Sequence, residues 1–337
     1  MNYVKIHNFK SIANLELEDC RRINLFIGYP NVGKSNVLEA LSLFSLPYLN
    51  EGENINKFIR VENKNELFFD NRFSSCFVTD GIRTVEFNTN SFILRHKYMN
   101  VEKQFFLSPK LNITNCVATF STGLESKSNT DDLNTHVRKY TFNTSPNWLF
   151  NDDISLSQPH GENIVNVLSY NPDMSDVLEW VKKEFLKYKL ELVLDISSNS
   201  LKVQQRLEGD KVKQLPYSSV ADTLQRVIFY KTAIASNKNS VLLFEEPEAH
   251  AFPPYIANIT QDIIEAKTNQ FFIVTHSPFV VNDFLEYEHL RQETSIYLFD
   301  FKNNQTTAKR LTAVEMDEVY EYGIDLFFNI ESFLECV

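Results

Sequence analysis

The sequence predicts an α/β chain: a mixed, largely parallel sheet built from the two ends of the polypeptide, with an antiparallel β and helical lobe inserted between them. Three observations lead there. A β-type run ending at Gly28 passes through a glycine-containing turn into a helical spacing at Val37, Leu38, Leu41 and Phe44. The last third alternates near-continuous apolar runs, VLLF and FFIV, with helical segments, as strands buried on both faces of a parallel sheet do. Between the two, residues from about 66 to 145 are rich in Phe, Thr, Val and Ile and offer Asp80-Gly81 as a hairpin turn.

Residues 3–9 alternate in strand fashion, and LELEDC and INLFIG supply two more short β-type runs before the helix that starts at Ser35. After the antiparallel region, LESKSNTDDLNTH (124–136) reads as an exposed polar loop. DVLEWVKKEFLKYKL (176–190) places Val177, Trp180, Val181 and Phe185 at helical spacing. VLDI, LKVQQRLE and KVKQLPY read as strands, the last two joined at Gly209-Asp210, and SVADTLQRVIFYKTAIAS as an amphipathic helix. VLLFEE, a Pro-started helix over 253–267, FFIVTHS, a short helix and SIYLFDF complete the order. The expected organisation is a discontinuous domain of residues 1–45 and 210–337 interrupted by a lobe of residues 46–209.

Composition narrows the class. With 43% hydrophobic residues, and 28 Phe against 8 Gly, the chain is neither disordered nor of low complexity. Lys and Arg total 33 against 44 Asp and Glu, a formal charge of −11, so contact with nucleic acid would need a local basic patch. RHK (95–97), HVRK (136–139) and KKEFLKYK (182–189) are the basic clusters, and solvated faces are the ordinary reading of each. Cys20, Cys76, Cys116 and Cys336 form no CxxC pair, which argues against zinc and against a disulfide framework. Without a signal-peptide core or an apolar run of about 20 residues, a cytoplasmic protein is expected.

The chemistry concentrates in three motifs. GYPNVGKS, Gly28 to Ser35, fits G-x-x-x-x-G-K-[ST] and lies between a predicted strand and helix. In that pattern the backbone N–H groups around Asn31, Val32, Gly33 and Asn36 wrap a phosphate at the helix N-terminus. Lys34 reaches the β and γ oxygens, and the Ser35 hydroxyl holds Mg²⁺. VLLFEEPEAH (241–250) delivers Glu245 and Glu246 at the C-terminal end of a strand, where an α/β sheet binds ligands. Beside a phosphate loop, Glu245 would hold Mg²⁺ through a water and Glu246 would deprotonate or orient the attacking water; alone, such a pair is an ordinary solvated strand end. FFIVTHSPF (271–279) ends a third strand in Thr275-His276, from which His276 could sense the γ-phosphate or polarise the attacking water.

These motifs in this order, after the opening VKIHNFKSI, resemble the ABC-type ATPase head shared by the RecF, SMC and overcoming-lysogenisation-defect families, over residues 1–45 and 215–285. Within that superfamily the chain is most similar to the compact AAA_15/AAA_21-type ATPases of bacterial anti-phage and abortive-infection systems, whose EPEAH it carries at 246–250. The resemblance implies Glu246 as catalytic base and His276 as switch histidine. It also implies a signature loop that touches the nucleotide of a dimer partner, which places Ser218 and Ser219 of LPYSSVADTLQR against a γ-phosphate. An ordinary helix N-cap, Ser219 with Asp222, is the alternative for that segment.

Two departures stand out. The loop lacks the glycines of the usual Ser-Gly-Gly, and Glu245 stands where relatives carry Asp, adding about 1.5 Å of reach. Slow hydrolysis is the expectation. Glu248 and His250 either line a dimer seam or cap the next helix.

The function expected is therefore an ATP- and Mg²⁺-dependent enzyme forming an ATP-sandwiched homodimer or higher oligomer. It would regulate a separately encoded effector, a nuclease or toxin, in anti-phage defence, because no nuclease constellation follows His276. The alternative is a RecF-like DNA repair ATPase that contacts DNA, or RNA, directly. A nucleotide-bound scaffold that does not hydrolyse is the third reading.

Overall fold

The computed structural model describes residues 1–71, 75–88, 90–97, 101–120, 136–144, 148–208 and 211–335. The chain opens with the antiparallel hairpin β1 (Val4–Phe9) and β2 (Ile12–Leu17), then β3 (Ile23–Gly28), buried at every position, and α1 (Lys34–Ser42). β4 (Cys76–Thr79), β5 (Arg83–Phe87), β6 (Ser91–His96), β7 (Val101–Leu107) and β8 (Ile113–Phe120) form an antiparallel meander. β9 (Val137–Tyr140), α2 (Ile164–Tyr170) and α3 (Ser175–Leu186) follow. Next come β10 (Leu190–Asp195), β11 (Ser200–Arg206), β12 (Val212–Pro216) and α4 (Asp222–Ala235). The last third runs β13 (Val241–Glu245), α5 (Pro253–Glu265), β14 (Gln270–Val274), α6 (Pro278–Leu285) and α7 (Glu288–Glu293). It closes with β15 (Thr294–Lys302), β16 (Gln305–Arg310), α8 (Ala313–Glu321) and α9 (Ile330–Leu334). Residues 124–135 of the loop predicted over 124–136, and the Gly209-Asp210 turn, lie outside the described residues.

The chain divides into two compact units, residues 1–139 with 241–245 and 270–337, and residues 140–240 with 246–269. The first holds two sheets. One is antiparallel, in the order β2-β1-β4-β5-β6-β7-β8; the other is mixed, in the order β16-β15-β3-β14-β13-β9. The division differs from the 46–209 boundary read from the sequence, because β4 hydrogen-bonds to β1 and so joins the meander to the opening hairpin.

Local chemistry explains these elements. β3, β13 and β14 are parallel neighbours inside a sheet, so their apolar runs are covered on both faces. Phe26 of β3 is fully buried and packs on the rings of Phe272, Tyr297 and Phe299 at 5.0–5.9 Å. In the meander Phe87 stacks on Phe92 at 4.2 Å and on Phe68 at 5.0 Å. The β4–β5 turn forms at Asp80-Gly81 as expected: Gly81 takes φ 84°, and the Asp80 carboxylate accepts from the Ile82 and Arg83 amides at 3.0 and 2.6 Å. In the second unit α4 and α5 are tied by Lys231 donating to Asp262 at 2.6 and 2.7 Å, with the ammonium 5.3 Å from the Trp180 ring centre.

The cysteines are far from one another in role. Burial pushes the Cys76 thiol up to about 12 and the Cys20 thiol up to about 11, whereas Cys116 is exposed. In a Cys336→Ser background, one thiol should react promptly with a chromogenic disulfide at pH 8, and the other two only once the fold opens. Prompt modification of all three would contradict this packing.

Candidate functional site

The first unit gathers most of the sequence-predicted residues along one sheet edge. Glu245 pairs with Val274, and Val274 with Phe26, so β13, β14 and β3 end in step. That edge carries Glu245, then Thr275 and His276, then Gly28 and the loop to Ser35. Parallel strands ending together leave a crevice at their carboxyl ends, the usual ligand position in such a sheet. Glu246 follows Glu245 directly and takes a left-handed φ of 47°.

The loop is shaped by two close approaches. Gly28 is pressed against β15, where a Cβ would meet the Phe299 carbonyl oxygen at 2.6 Å. Gly33 has φ 97°, and a Cβ there would lie 2.0 Å from Thr306 Oγ1 and 2.7 Å from Ser11 Oγ. Asn31 is also left-handed, at φ 64°. Left-handed residues just before a helix turn successive amides toward one point, and Gly33 caps α1 with no side-chain bond, so the first-turn N–H groups face outward as an anion cradle. Val32 is buried and pins the loop; Lys34 is 5% exposed, and its Nζ donates to the Gly28 and Tyr29 carbonyls, both at 2.7 Å. Asn36 donates to Ser11 Oγ at 2.7 Å, and Ser11 bonds Thr306 Oγ1 at 2.6 Å.

Behind the edge lies a charge network that sequence reading missed. Glu39 of α1 is fully buried and takes Lys10 on one carboxylate oxygen and Arg60 Nε on the other, the latter at 2.6 Å. Arg60 also reaches Glu245 Oε1 at 3.2 Å, and the Lys10 ammonium donates to the Arg60 carbonyl at 2.8 Å. Lys139 is buried nearby with Nζ on the Phe58 carbonyl at 2.9 Å; desolvation lowers its pKa, against the pull of Glu39 and Glu245. The Ser35 hydroxyl and the Glu245 carboxylate offer only oxygen donors, which suits Mg²⁺ completed by water and phosphate. Among the described residues no cluster of three or more His, Cys, Asp or Glu is placed to hold a metal by itself.

The remaining candidates differ in exposure and setting. His276 is exposed, with its ring 6.5 Å from that of Phe327. Ser218 and Ser219 are exposed in a short 3₁₀ turn of the second unit. Neither caps α4, whose N-cap is Ala221 with no side-chain bond, so the Ser219–Asp222 capping box does not form. Glu248 is buried and His250 accepts from Thr223 through its carbonyl at 2.9 Å; α5 is capped by Phe252 instead of either. Two of the basic clusters serve the fold. Arg95 bridges Glu86 and Glu102 across the meander, Arg138 lies 5.0 Å from the Tyr48 ring centre, and Lys139 is buried.

Comparison with known proteins gives one family match and a set of structural likenesses. Residues 129–282 match the AAA_21 family, described as "AAA domain, putative AbiEii toxin, Type IV TA system". A solved SMC head bound to the C-winged helix domain of ScpA is 12% identical, with 92% of this chain and 98% of that chain covered and a TM-score of 0.51. An SMC head domain from Thermotoga maritima is 13% identical, with 92% and 98% covered and a TM-score of 0.45. An SMC head with an extended coiled coil, bound to the C-terminal domain of ScpA derived from Pyrococcus furiosus, is 11% identical, with 95% and 98% covered and a TM-score of 0.49. No curated protein sequence matches the chain. The fold is similar to that of an SMC-type ATPase head, and residues 129–282 resemble the AAA_21 family. Among the described residues no helix is long and apolar enough to cross a membrane.

Proposed function

We propose that the chain is a Mg²⁺-dependent ATPase that closes as an ATP-sandwiched dimer and regulates a separate effector, a nuclease or toxin, in anti-phage defence. The observation that carries the enzymatic part is the shared edge of β3, β14 and β13, which sets the Gly28–Ser35 loop, His276 and Glu245 along one crevice. The toxin–antitoxin description of the matched family supports the defence setting. The SMC head crystallised with a ScpA domain is a precedent for a head that docks a separate polypeptide.

In this reading the first-turn amides of α1 and the loop hold the phosphates, and Lys34 exchanges the Gly28 and Tyr29 carbonyls for phosphate oxygens. Ser35, and Glu245 through a water, would hold Mg²⁺, which neutralises phosphate charge when bound. Glu246 accepts the proton of the attacking water, and His276 hydrogen-bonds the γ-phosphate. Ser218 and Ser219 meet the partner's nucleotide. The grip of Arg60 on Glu245 and the Asp222 carboxylate in the first turn of α4 both act against rapid turnover.

Glu246→Gln should keep ATP binding and lose about 10²–10³-fold in phosphate release. The wild type should turn over more slowly than about 10 s⁻¹. Isolating Glu246→Gln from its host with ATP and Mg²⁺, against Lys34→Ala, should bring down a nuclease- or toxin-like protein in a nucleotide-dependent way. Phosphate release unchanged in Glu246→Gln would remove the assigned base. DNA binding that falls steeply with salt, with repair proteins and no effector recovered, would replace the defence reading by a RecF-like one.

A further inference from the structure

We infer that Phe301, at the tip of the β15–β16 hairpin, is the platform on which the purine ring of a bound nucleoside triphosphate stacks, an inference that rests on the proposed ATPase reading and extends it to the base end of the nucleotide. Strand register places the ring. Gly28, the last residue of β3, pairs with Phe299, so β15 runs on past the sheet edge and carries Phe301 beyond it, beside the phosphate loop. Phe301 pairs across the hairpin with Thr306, and residues directly opposite in an antiparallel pair share a face with Cβ atoms about 4.5–5.5 Å apart. A Cβ on Gly33 would lie 3.0 Å from Thr306 Cβ. The root of the Phe301 ring therefore stands within roughly 9 Å of the residue that opens the anion cradle, on the hairpin face that meets it.

Exposure sets this ring apart from its own row. Tyr297, Phe299 and Phe301 alternate along β15 and so share one face. Tyr297 and Phe299 are buried against Phe26, whereas Phe301 is 46% exposed, where the core ends and the loop begins. The tip itself is held in place. Asn303 and Asn304, at φ 53° and 61°, make the two-residue turn; the Asp300 carboxylate accepts from the Phe301 amide at 2.8 Å, and the Thr306 amide donates to the Ser11 carbonyl at 2.8 Å. Sheet order decides which end of the nucleotide arrives there. β3 lies between β15 on one side and β14 and β13 on the other. In the proposed reading His276 and Glu245 hold the γ-phosphate end over β14 and β13, so the ribose and base leave the cradle toward β15. Tyr29 is a further exposed ring on the loop, but its phenol donates to Glu331 of α9 at 3.4 Å. Phenylalanine carries no polar atom, so it grips the π-face of a base without reading its edge, and adenine and guanine should be held alike.

The test is calorimetric titration of the full chain, with Mg²⁺, using three ligands: the β,γ-imido analogues of ATP and GTP, and inorganic tripolyphosphate, which has no base. Phe301→Ala should weaken both nucleotides about tenfold, leave tripolyphosphate binding unchanged, and keep the melting temperature of the ligand-free protein. Phe301→Trp should keep nucleotide affinity and gain an indole emission that both nucleotides quench and tripolyphosphate does not, beyond any change in the wild type. An equal loss for nucleotides and tripolyphosphate in Phe301→Ala would mean that the ring only props the loop, and overturns the inference. So does an unchanged nucleotide affinity, or a base-dependent loss found in Tyr29→Ala instead. A wild type that binds tripolyphosphate as tightly as the nucleotides sinks this inference alone, whereas one that binds none of the three removes the ATPase reading and this inference with it.

Discussion

Gly33→Ala will reduce nucleotide affinity by about 100-fold or more, and turnover with it. Two penalties combine at this residue. The left-handed φ of 97° costs an L-residue roughly 1–2 kcal/mol. The new methyl would also stand 2.0 Å from Thr306 Oγ1 and 2.7 Å from Ser11 Oγ, two hydroxyls bonded to each other, with Thr306 fully buried, so the loop must yield; overpacking of this kind costs about 1–3 kcal/mol. A loop that yields re-aims the amides of the cradle, and each 1.4 kcal/mol lost there is about tenfold in affinity. The two terms separate experimentally. Thr306→Ala removes the atom at the closest approach and should restore part of the affinity of Gly33→Ala, leaving the φ penalty in place. Gly28→Ala admits no such rescue, because its obstacle is the Phe299 main-chain carbonyl. Titration of a fluorescent ATP analogue into the four proteins reads all of this; wild-type affinity in Gly33→Ala would show that the loop does not bind phosphate in this shape.

What the sequence disclosed and what it hid follow from the range of the interactions. The loop and strand ends were legible because each is a local pattern: GYPNVGKS encodes its own turn, and VLLFEE and FFIVTH announce buried strands that stop at polar residues. The Asp80-Gly81 hairpin was legible for the same reason. The pairing of β4 with β1 was not, since Ile6 meets Val78 across more than seventy positions and nothing local specifies it. Glu39 was hidden differently. In SNVLEALSLF it reads as the solvated acid of an amphipathic helix, but α1 is buried nearly all round and its carboxylate is enclosed by cations from distant segments. The same masking misleads with HVRK, where Lys139 reads as a surface base and is in fact buried. Lys10 and Ser11 of the opening HNFKSI belong to the stretch that carries the resemblance; the structure gives them a physical task, holding Glu39 and Asn36 of the helix that begins at the loop.

Glu39→Ala is the second large effect, expected on stability first. Removing one partner of a buried ion pair costs about 3–5 kcal/mol, because the charge left behind loses its counter-ion without regaining water. Here the loss is moderated: Arg60 is 65% exposed along its side chain and keeps Glu245, and Lys10 keeps the Arg60 carbonyl. About 2–4 kcal/mol remains, a fall of roughly 5–10 °C in the melting temperature of the first unit. Glu39→Gln should lose less, since it keeps one acceptor and the packed volume. Lys10→Met combined with Glu39→Leu should cost less than the two single changes added together, because the stranded charge goes with its partner. Strict additivity, or a loss below about 1 kcal/mol for Glu39→Ala, would show the network to be incidental. Its position predicts an effect on function as well. Arg60 divides its guanidinium between Glu39 and Glu245, so deleting Glu39 leaves the whole cation to Glu245, the carboxylate assigned to Mg²⁺. The Mg²⁺ concentration for half-maximal phosphate release should then rise several-fold in Glu39→Gln and fall in Arg60→Ala, opposite shifts from two residues that both touch the same guanidinium contact; shifts in the same direction would mean that Arg60 supports metal binding instead of competing with it.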